Sequence, residues 1–522
     1  MSPGSNKTFF YLRIILFAVY LINGIISIPR NSMVSDEMDN WSYSRRIMKG
    51  HPEKVYTYDD GPAMAIGILN TIPRSTEQIT HPGLQKTDGG ISDVMHGRYI
   101  TLIVSLLIGI YIFKWSKELF GEAAGMFSLF LFVFCPNLNA NAILISYDNY
   151  TALFSLTSFY YFWKFVNESG NKNFLLFSTS IALAQISKYS LIHLLVIFGV
   201  ISILILLKRK SLKKTWKKNL MRLVIFCCIL LLIINAAYLF QGCGQTLSSY
   251  HFRSSVFQSI QSVHLIREIP LPFPVPYIEG FDITFHSLEL GPGNPLVAGS
   301  VYLLGQLRTG QGFWYYYLIV FLFKTPIPFL LILLISAGIY VKQRKFSIQS
   351  PGFIISIGLL YYFFIFSFLN TVQIGIRHIL FVYPLLYVMA AKISLLKPGK
   401  AFNILLLFFT VYYVSTFYYF FPNLISYSNE LIMDKKYAYK IMADSNIDYG
   451  QGWYTVENYL KTHPDIHLAD TIAKQGKFLI RVNDYLDING NHKYSWLSNF
   501  KPMGHVDHSF LLFNIKEEDL IK

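Results

Sequence analysis

The chain has 522 residues, 53% of them hydrophobic and 14% charged, with a mean hydropathy of +0.39. A soluble protein of this size carries about 25% charged residues, so the composition excludes an ordinary soluble enzyme and points to the bilayer. The net charge of +15 would suit nucleic acid in a soluble chain. Here Lys and Arg fall in short loops between apolar runs, so no nucleic-acid partner is expected.

The first apolar run, residues 9–28, has no small-residue cleavage site after it and reads as a retained helix. Further runs of about 18 or more apolar residues follow. With the first, centred near Phe17, their centres lie near Ser105, Leu129, Thr157, Ser180, Phe198, Leu231, Phe329, Leu360, Leu386 and Val411. The pattern predicts an all-α polytopic membrane protein with about eleven transmembrane helices. The basic stretch "KRKSLKKTWKKNLMR" orients the chain with its N-terminus inside. Residues 1–421 then form a transmembrane core with external loops at 29–97 and 242–312. From residue 422 to 522 the character changes. The alternating runs "KFLIRVNDY" and "SFLLFNI" predict a small α+β cap on the outer face.

Cys135, Cys227, Cys228 and Cys243 have neither zinc spacing nor a disulfide framework. There is no GxxxxGK[ST] phosphate loop, no HExxH and no CxxC. The chemistry lies instead in charged residues at the mouths of predicted spans. "NSMVSDEMDNW" places Asp36, Glu37 and Asp39 just past the first helix. Arg98, Asp148, Lys188, Arg377 and His378 open or close other spans on the same side. Lys324 falls inside an apolar run that Pro326 and Pro328 are expected to break. Ionisable residues at such depths are costly and need a reason. Arg and Lys suit a lipid-linked phosphate. A nearby carboxylate can accept a proton from an attacking hydroxyl or amine. Asp36, Glu37 and Asp148 are also the set that a hard divalent ion would use; no metal and no cofactor is expected.

In this order along the chain, several stretches resemble one family. They are "SDEMDNW", "THPGL", "GRYITLIVSLLIGIYIFKWSKELFG", "CPNLNANAILISYD", "ISKYS", "GFWYYYLIVFLFKTPIPFLLILL", "GIRHILFVYPLLYV" and "ADSNIDYGQGW". Together they are similar to the dolichyl-phosphate-mannose–protein mannosyltransferase family, glycosyltransferase family 39 of the GT-C superfamily, in its bacterial phospholipid-carrier-dependent form. The resemblance implies a GT-C transmembrane fold and inverting transfer of a sugar from a polyprenyl-phosphate donor. The acceptor would be a protein hydroxyl, a lipid or a surface glycan at the extracytoplasmic face of a bacterial inner membrane. It implies Asp36 as catalytic base, Glu37 as its assistant and Asp148 as the second acid. Arg98 and Lys188 would bind the donor phosphate, with Lys324, Arg377 and His378 beside them. This chain departs from the family pattern at "THPGL", where Gly replaces a second Pro, and at "DYGQGW", where Tyr replaces Trp and Gly replaces an acid. For "DSNIDYGQ", a polar turn packing the C-terminal segment and a donor-site role both stand open.

The alternative class is a polytopic transporter or lipid flippase, which would share the spans and buried charges. Carriers concentrate charge near the bilayer midplane in symmetric halves. This sequence shows no internal repeat and gathers its charges toward one face.

Overall fold

An apolar run in hydrocarbon must pair its own backbone N–H and C=O groups, and so folds as a helix. The computed structural model describes residues 3–48, 64–73, 91–168, 170–208, 212–294, 299–342, 347–396 and 399–520. The first half contributes α1 (Pro3–Ser27), α2 (Glu37–Met48), α3 (Ile91–Phe120), α4 (Glu122–Val133) and α5 (Pro136–Ala142). It continues with α6 (Asp148–Glu168), α7 (Asn171–Gln185), α8 (His193–Lys208) and α9 (Leu212–Ala237). Next come α10 (Ser255–Ser262), α11 (Val275–Leu290) and a hairpin of β1 (Val301–Leu303) and β2 (Gln306–Arg308). The core closes with α12 (Tyr316–Lys324), α13 (Ile327–Lys342), α14 (Pro351–Phe368), α15 (Val382–Ala390) and α16 (Lys400–Phe420).

All eleven predicted centres fall on helices, and length and apolarity alone qualify some of these helices as crossings. Among the described residues, six helices are long and apolar enough to cross alone: α1, α3, α8, α9, α14 and α16. Two bent pairs raise this to eight if each is one crossing: α4 with α5, at 63°, and α12 with α13, at 114°. The second bend is the break that Pro326 and Pro328 predict, since neither ring nitrogen can donate to a preceding turn. Three helices fall short. α7 has 15 residues, and the apolar run of α15 ends at Leu395. α6 is long enough but buries Asp148, Asn149, Thr151, Ser155 and Ser158, so protein rather than lipid meets its polar faces. A single residue, Gly121, folds α4 back along α3. Its φ of 95° lies where a side chain is strained.

The C-terminal segment holds α17 (Trp453–Thr462), β3 (Ile466–Leu468), β4 (Gly476–Arg481), β5 (Gly504–Val506) and β6 (Phe510–Ile515). The two alternating runs become β4 and β6, the central pair of a sheet ordered β3-β4-β6-β5. β3 joins in parallel; the other pairings are antiparallel, with Leu479 opposite Leu512. Alternation lets both faces be covered. Leu479 and Phe510 pack with Val456 of α17, while Phe478 and Phe513 pack with Tyr439 and Met442.

This segment meets the helical core at Asn423, whose amide donates to the Asp507 carboxylate (2.7 Å) and to its carbonyl (2.5 Å). Burial pushes the Asp507 carboxyl up to about 7, against the opposing hydrogen bonds of Asn423 and Ser509. The folded protein therefore holds a proton here that the unfolded chain has released. Stability at this joint is full below the ordinary carboxylate range and falls as pH rises through about 7. Thermal melts of the wild type are expected to drop as pH rises from the ordinary carboxylate value of 3.8 to about 7 and to level off above it. Asp507→Asn, which cannot ionise, should flatten that dependence; an unchanged slope would refute the assignment.

Candidate active site

The first acidic loop is built around Arg98, near the start of α3. Its guanidinium has five N–H donors, and five acceptors meet them. Nε donates to Glu37 Oε1 (2.8 Å) and Nη2 to Glu37 Oε2 (2.5 Å). The carbonyls of Ile28 (3.0 Å), Asn31 (2.7 Å) and Ser32 (2.9 Å) take the rest. Glu37 is fully buried and also accepts from the backbone N–H of Val34 (3.0 Å) and Ile145 (2.9 Å). This pair holds the chain between α1 and α2 against the segment before α6. Arg98 has no donor left for a phosphate and Glu37 no lone pair facing solvent. Both are corrections to the expected roles: Glu37 was placed at the site by its adjacency to Asp36 and Arg98 by its position at the mouth of a span, but their side chains point into the protein.

Asp36 points the other way. Its carboxylate is 45% exposed and accepts a hydrogen bond from Arg377 Nη1 (2.8 Å). The same nitrogen lies 3.9 Å from Asp148 Oδ2, and Lys188 Nζ donates to Asp148 Oδ1 (2.7 Å). Acid and base therefore alternate: Asp36, Arg377, Asp148, Lys188. His378 follows Arg377 in the chain and lies within electrostatic reach of Lys188 and Arg377. Asp148 is the first residue of α6, where the helix dipole favours a carboxylate. Burial alone would push the Asp36 carboxyl up; Arg377, Tyr449 and Lys188 outweigh it and hold it below the usual carboxylate range. The Arg377 Nε is shielded from solvent and has no acceptor among the described residues.

The "DSNIDYGQ" segment joins these parts. The Tyr449 ring lies 4.6 Å beneath the Arg377 guanidinium, a cation–π contact, and its hydroxyl faces Asp36. Tyr449 O accepts from Ser35 N (3.2 Å), and Gln451 O accepts from Ser32 N (2.9 Å) and Ser32 Oγ (2.7 Å). Asn446 Oδ1 accepts from Ile376 N (2.9 Å), next to Arg377. Ser445 Oγ bonds the Ile374 carbonyl. Gly375 makes that approach possible: its φ is 153°, and a Cβ there would strike Ser445 Oγ. Asp448 accepts from Arg481 of β4 (2.9 and 3.0 Å), which ties the segment to the sheet. The segment is thus a polar turn that packs the C-terminal sheet, and it also delivers Tyr449 to the acids. Asp444 sits there with a strained φ of 54°, and burial pushes its carboxyl up to about 6 despite Arg377 nearby.

Lys324 does not reach this cluster. It is 1% exposed, and its Nζ donates to the carbonyls of Ile425 (2.6 Å) and Asn446 (2.7 Å). It pins the α12–α13 break to the "DSNIDYGQ" segment rather than presenting a charge. A small cavity lies between, lined by Asn137, Asn141, Lys324, Arg377, Ser445 and Tyr449. Tyr449, Ser445 and the α5 amides Asn137 and Asn141 escape sequence reasoning as site residues; only the motifs that hold them, "DSNIDYGQ" and "CPNLNANAILISYD", hint at them. The predicted residues that do come together are Asp36, Asp148, Lys188, Arg377 and His378. "THPGL" lies outside the described residues. Among the described residues, no group of three or more His, Cys, Asp or Glu is arranged to hold a metal ion.

These features define a helical membrane protein with an acid–base cluster at the ends of its spans. Residues 92–235, from α3 into α9, match the family described as dolichyl-phosphate-mannose-protein mannosyltransferase, in agreement with the resemblance read from sequence. No curated protein matches the chain. Among solved structures it is similar to ArnT from Cupriavidus metallidurans in the apo state, at 12% identity and a TM-score of 0.48. That alignment covers 78% of this chain and 63% of ArnT. For ArnT bound to undecaprenyl phosphate the identity and TM-score are the same, with 79% and 70% covered. AglB from Archaeoglobus fulgidus, in complex with an inhibitory peptide and a dolichol-phosphate, aligns at 14% identity and a TM-score of 0.43, with 77% and 55% covered. The chain thus spans less than two thirds of the first of these proteins.

Proposed function

We propose that the protein is a membrane glycosyltransferase. It moves a sugar from a polyprenyl-phosphate carrier to a hydroxyl or amine acceptor on the extracytoplasmic side, where residues 422–522 cap the core. The observation that carries this reading is the Asp36–Arg377 pair. A partly exposed carboxylate is kept ionised by a guanidinium that still has a shielded donor to offer. The acceptor oxygen or nitrogen attacks the anomeric carbon as the bond from that carbon to the phosphate oxygen breaks. The phosphate leaves with the electron pair, and the acceptor's proton passes to Asp36. Arg377 Nε and the partly exposed Lys188 receive the charge that builds on the phosphate. In-line attack inverts the anomeric carbon. Asp148, wedged between the two cations, keeps them apart and aimed.

The family description names mannose and a protein acceptor, and these are the first sugar and acceptor to test. Mass spectrometry of carrier lipids, surface glycans and secreted proteins from a deletion strain is expected to show one glycan lost and its lipid-linked donor accumulating. Transport of the intact lipid without any change in glycan would overturn the reading. Lys188→Met is expected to raise the donor KM about tenfold or more, the cost of one charge-assisted hydrogen bond at about 1.5–3 kcal/mol. An unchanged KM would remove Lys188 from the phosphate site.

A further inference from the structure

Nine residues beyond the end of α16 the chain forms a short loop, residues 429–436, that carries the most exposed large apolar side chain in the described residues. Met433 is 94% exposed, and Leu431 beside it 51%. The loop does not stand out in water. Glu430 accepts a hydrogen bond from Thr416 Oγ1 (2.6 Å), and Thr416 lies within the membrane-spanning stretch Asn403–Phe420. Four residues from the end of that helix is about 6 Å below its last turn. Asn429 is anchored at the bent α12–α13 pair: its Nδ2 donates to the carbonyls of Leu322 (2.6 Å) and Thr325 (2.8 Å), which the break between the two helices leaves free. Its backbone N–H donates to the Phe323 carbonyl (2.8 Å).

Several carbonyls in and beside the loop are paired internally, as irregular backbone next to hydrocarbon requires. Lys435 Nζ donates to the carbonyls of Ser428 (3.1 Å), Asn429 (2.7 Å) and Ile432 (2.9 Å), and its ammonium lies 5.8 Å from the centre of the Phe420 ring. Tyr418 and Tyr419, exposed at the same end of α16, mark the interfacial level at which aromatic side chains gather. Lys436, paired with Asp434 at 3.1 Å, and the exposed Lys440 flank the apolar tip with charges that reach toward headgroups.

We propose that residues 429–436 are a prong seated in the bilayer leaflet at this face, with Leu431 and Met433 among lipid acyl chains. The occupant is lipid, because Glu430 ties the loop to the membrane-spanning stretch Asn403–Phe420, Asn429 ties it to the apolar α12–α13 pair, and the tip exposes Leu431 and Met433. The prong sets the height of the "DSNIDYGQ" segment, which begins eight residues after it and holds Asp36 and Arg377.

The test uses the full chain with Cys227, Cys228 and Cys243 replaced by serine and the buried Cys135 retained. A nitroxide is attached to Met433→Cys, to Leu431→Cys, or, as an aqueous reference, to Ile472→Cys, which is 71% exposed between β3 and β4. In phosphatidylethanolamine–phosphatidylglycerol vesicles, collision rates with oxygen, enriched in lipid, are compared with those of a water-soluble nickel chelate. The ratio of oxygen to nickel collisions is expected to be several-fold higher at 431 and 433 than at 472. A ratio equal to that at 472 places the tip in water and overturns the proposal. Immobilised labels shielded from both reagents show that protein covers the tip, and overturn it equally.

Discussion

Arg98→Ala is expected to destabilise the protein by roughly 3–5 kcal/mol, the range for removing one partner of a buried ion pair. The guanidinium is 1% exposed, and its loss strands a fully buried Glu37 carboxylate and frees three backbone carbonyls. Against a total stability of about 5–15 kcal/mol, that loss is large. It should appear as a lower melting temperature in detergent, with donor binding at low temperature retained by whatever fraction stays folded. The double variant Arg98→Met, Glu37→Leu should recover part of the loss, because it removes both desolvated charges. A normal melting temperature with selectively weakened donor binding would instead return Arg98 to the phosphate site.

Asp36→Asn should fold and insert normally yet transfer sugar at a rate lower by about 10²–10⁴, the usual contribution of a positioned general base. Asparagine keeps an acceptor for Arg377, and position 36 is partly exposed, so the structure has little reason to move. The fall should lie in kcat, with donor affinity largely unchanged, since in the proposed mechanism Asp36 takes the acceptor's proton rather than binding the carrier. Because Arg377 and Lys188 hold this carboxyl below the ordinary range, its ionisation contributes no acid limb near neutrality. Any limb close to pH 6 would report Asp444 instead. Full turnover by Asp36→Asn would sink the base assignment.

Much of the architecture was legible because membrane helices announce themselves by length and apolarity. The helix centres, the break at Pro326 and the two central strands of the C-terminal sheet all follow from composition and period. The count of crossings was less legible. α6 is polar on faces that protein covers, and hydropathy sees composition, not neighbours. The site was half legible for a related reason. Asp36 and Glu37 are adjacent, and one residue of backbone decides that the first faces solvent and the second faces Arg98. Sequence position also made Arg98 and Lys324 look like ligand cations. Both turn inward, each onto backbone carbonyls supplied by segments far away in the chain. Tyr449 was hidden because its value depends on Arg377, 72 positions earlier, stacking on its ring.

The ties between Ser32, Ser35 and residues 449–451 carry a consequence for biogenesis. The ribosome delivers the opening acids some 419 residues before the carbonyls that clamp their loop, so a nascent polypeptide inserts its helices while the pocket is still missing a wall. A copy in the membrane without that stretch would lack the Tyr449 ring beneath Arg377 and the carbonyls that hold Ser32 and Ser35, leaving the loop that presents Asp36 unbraced.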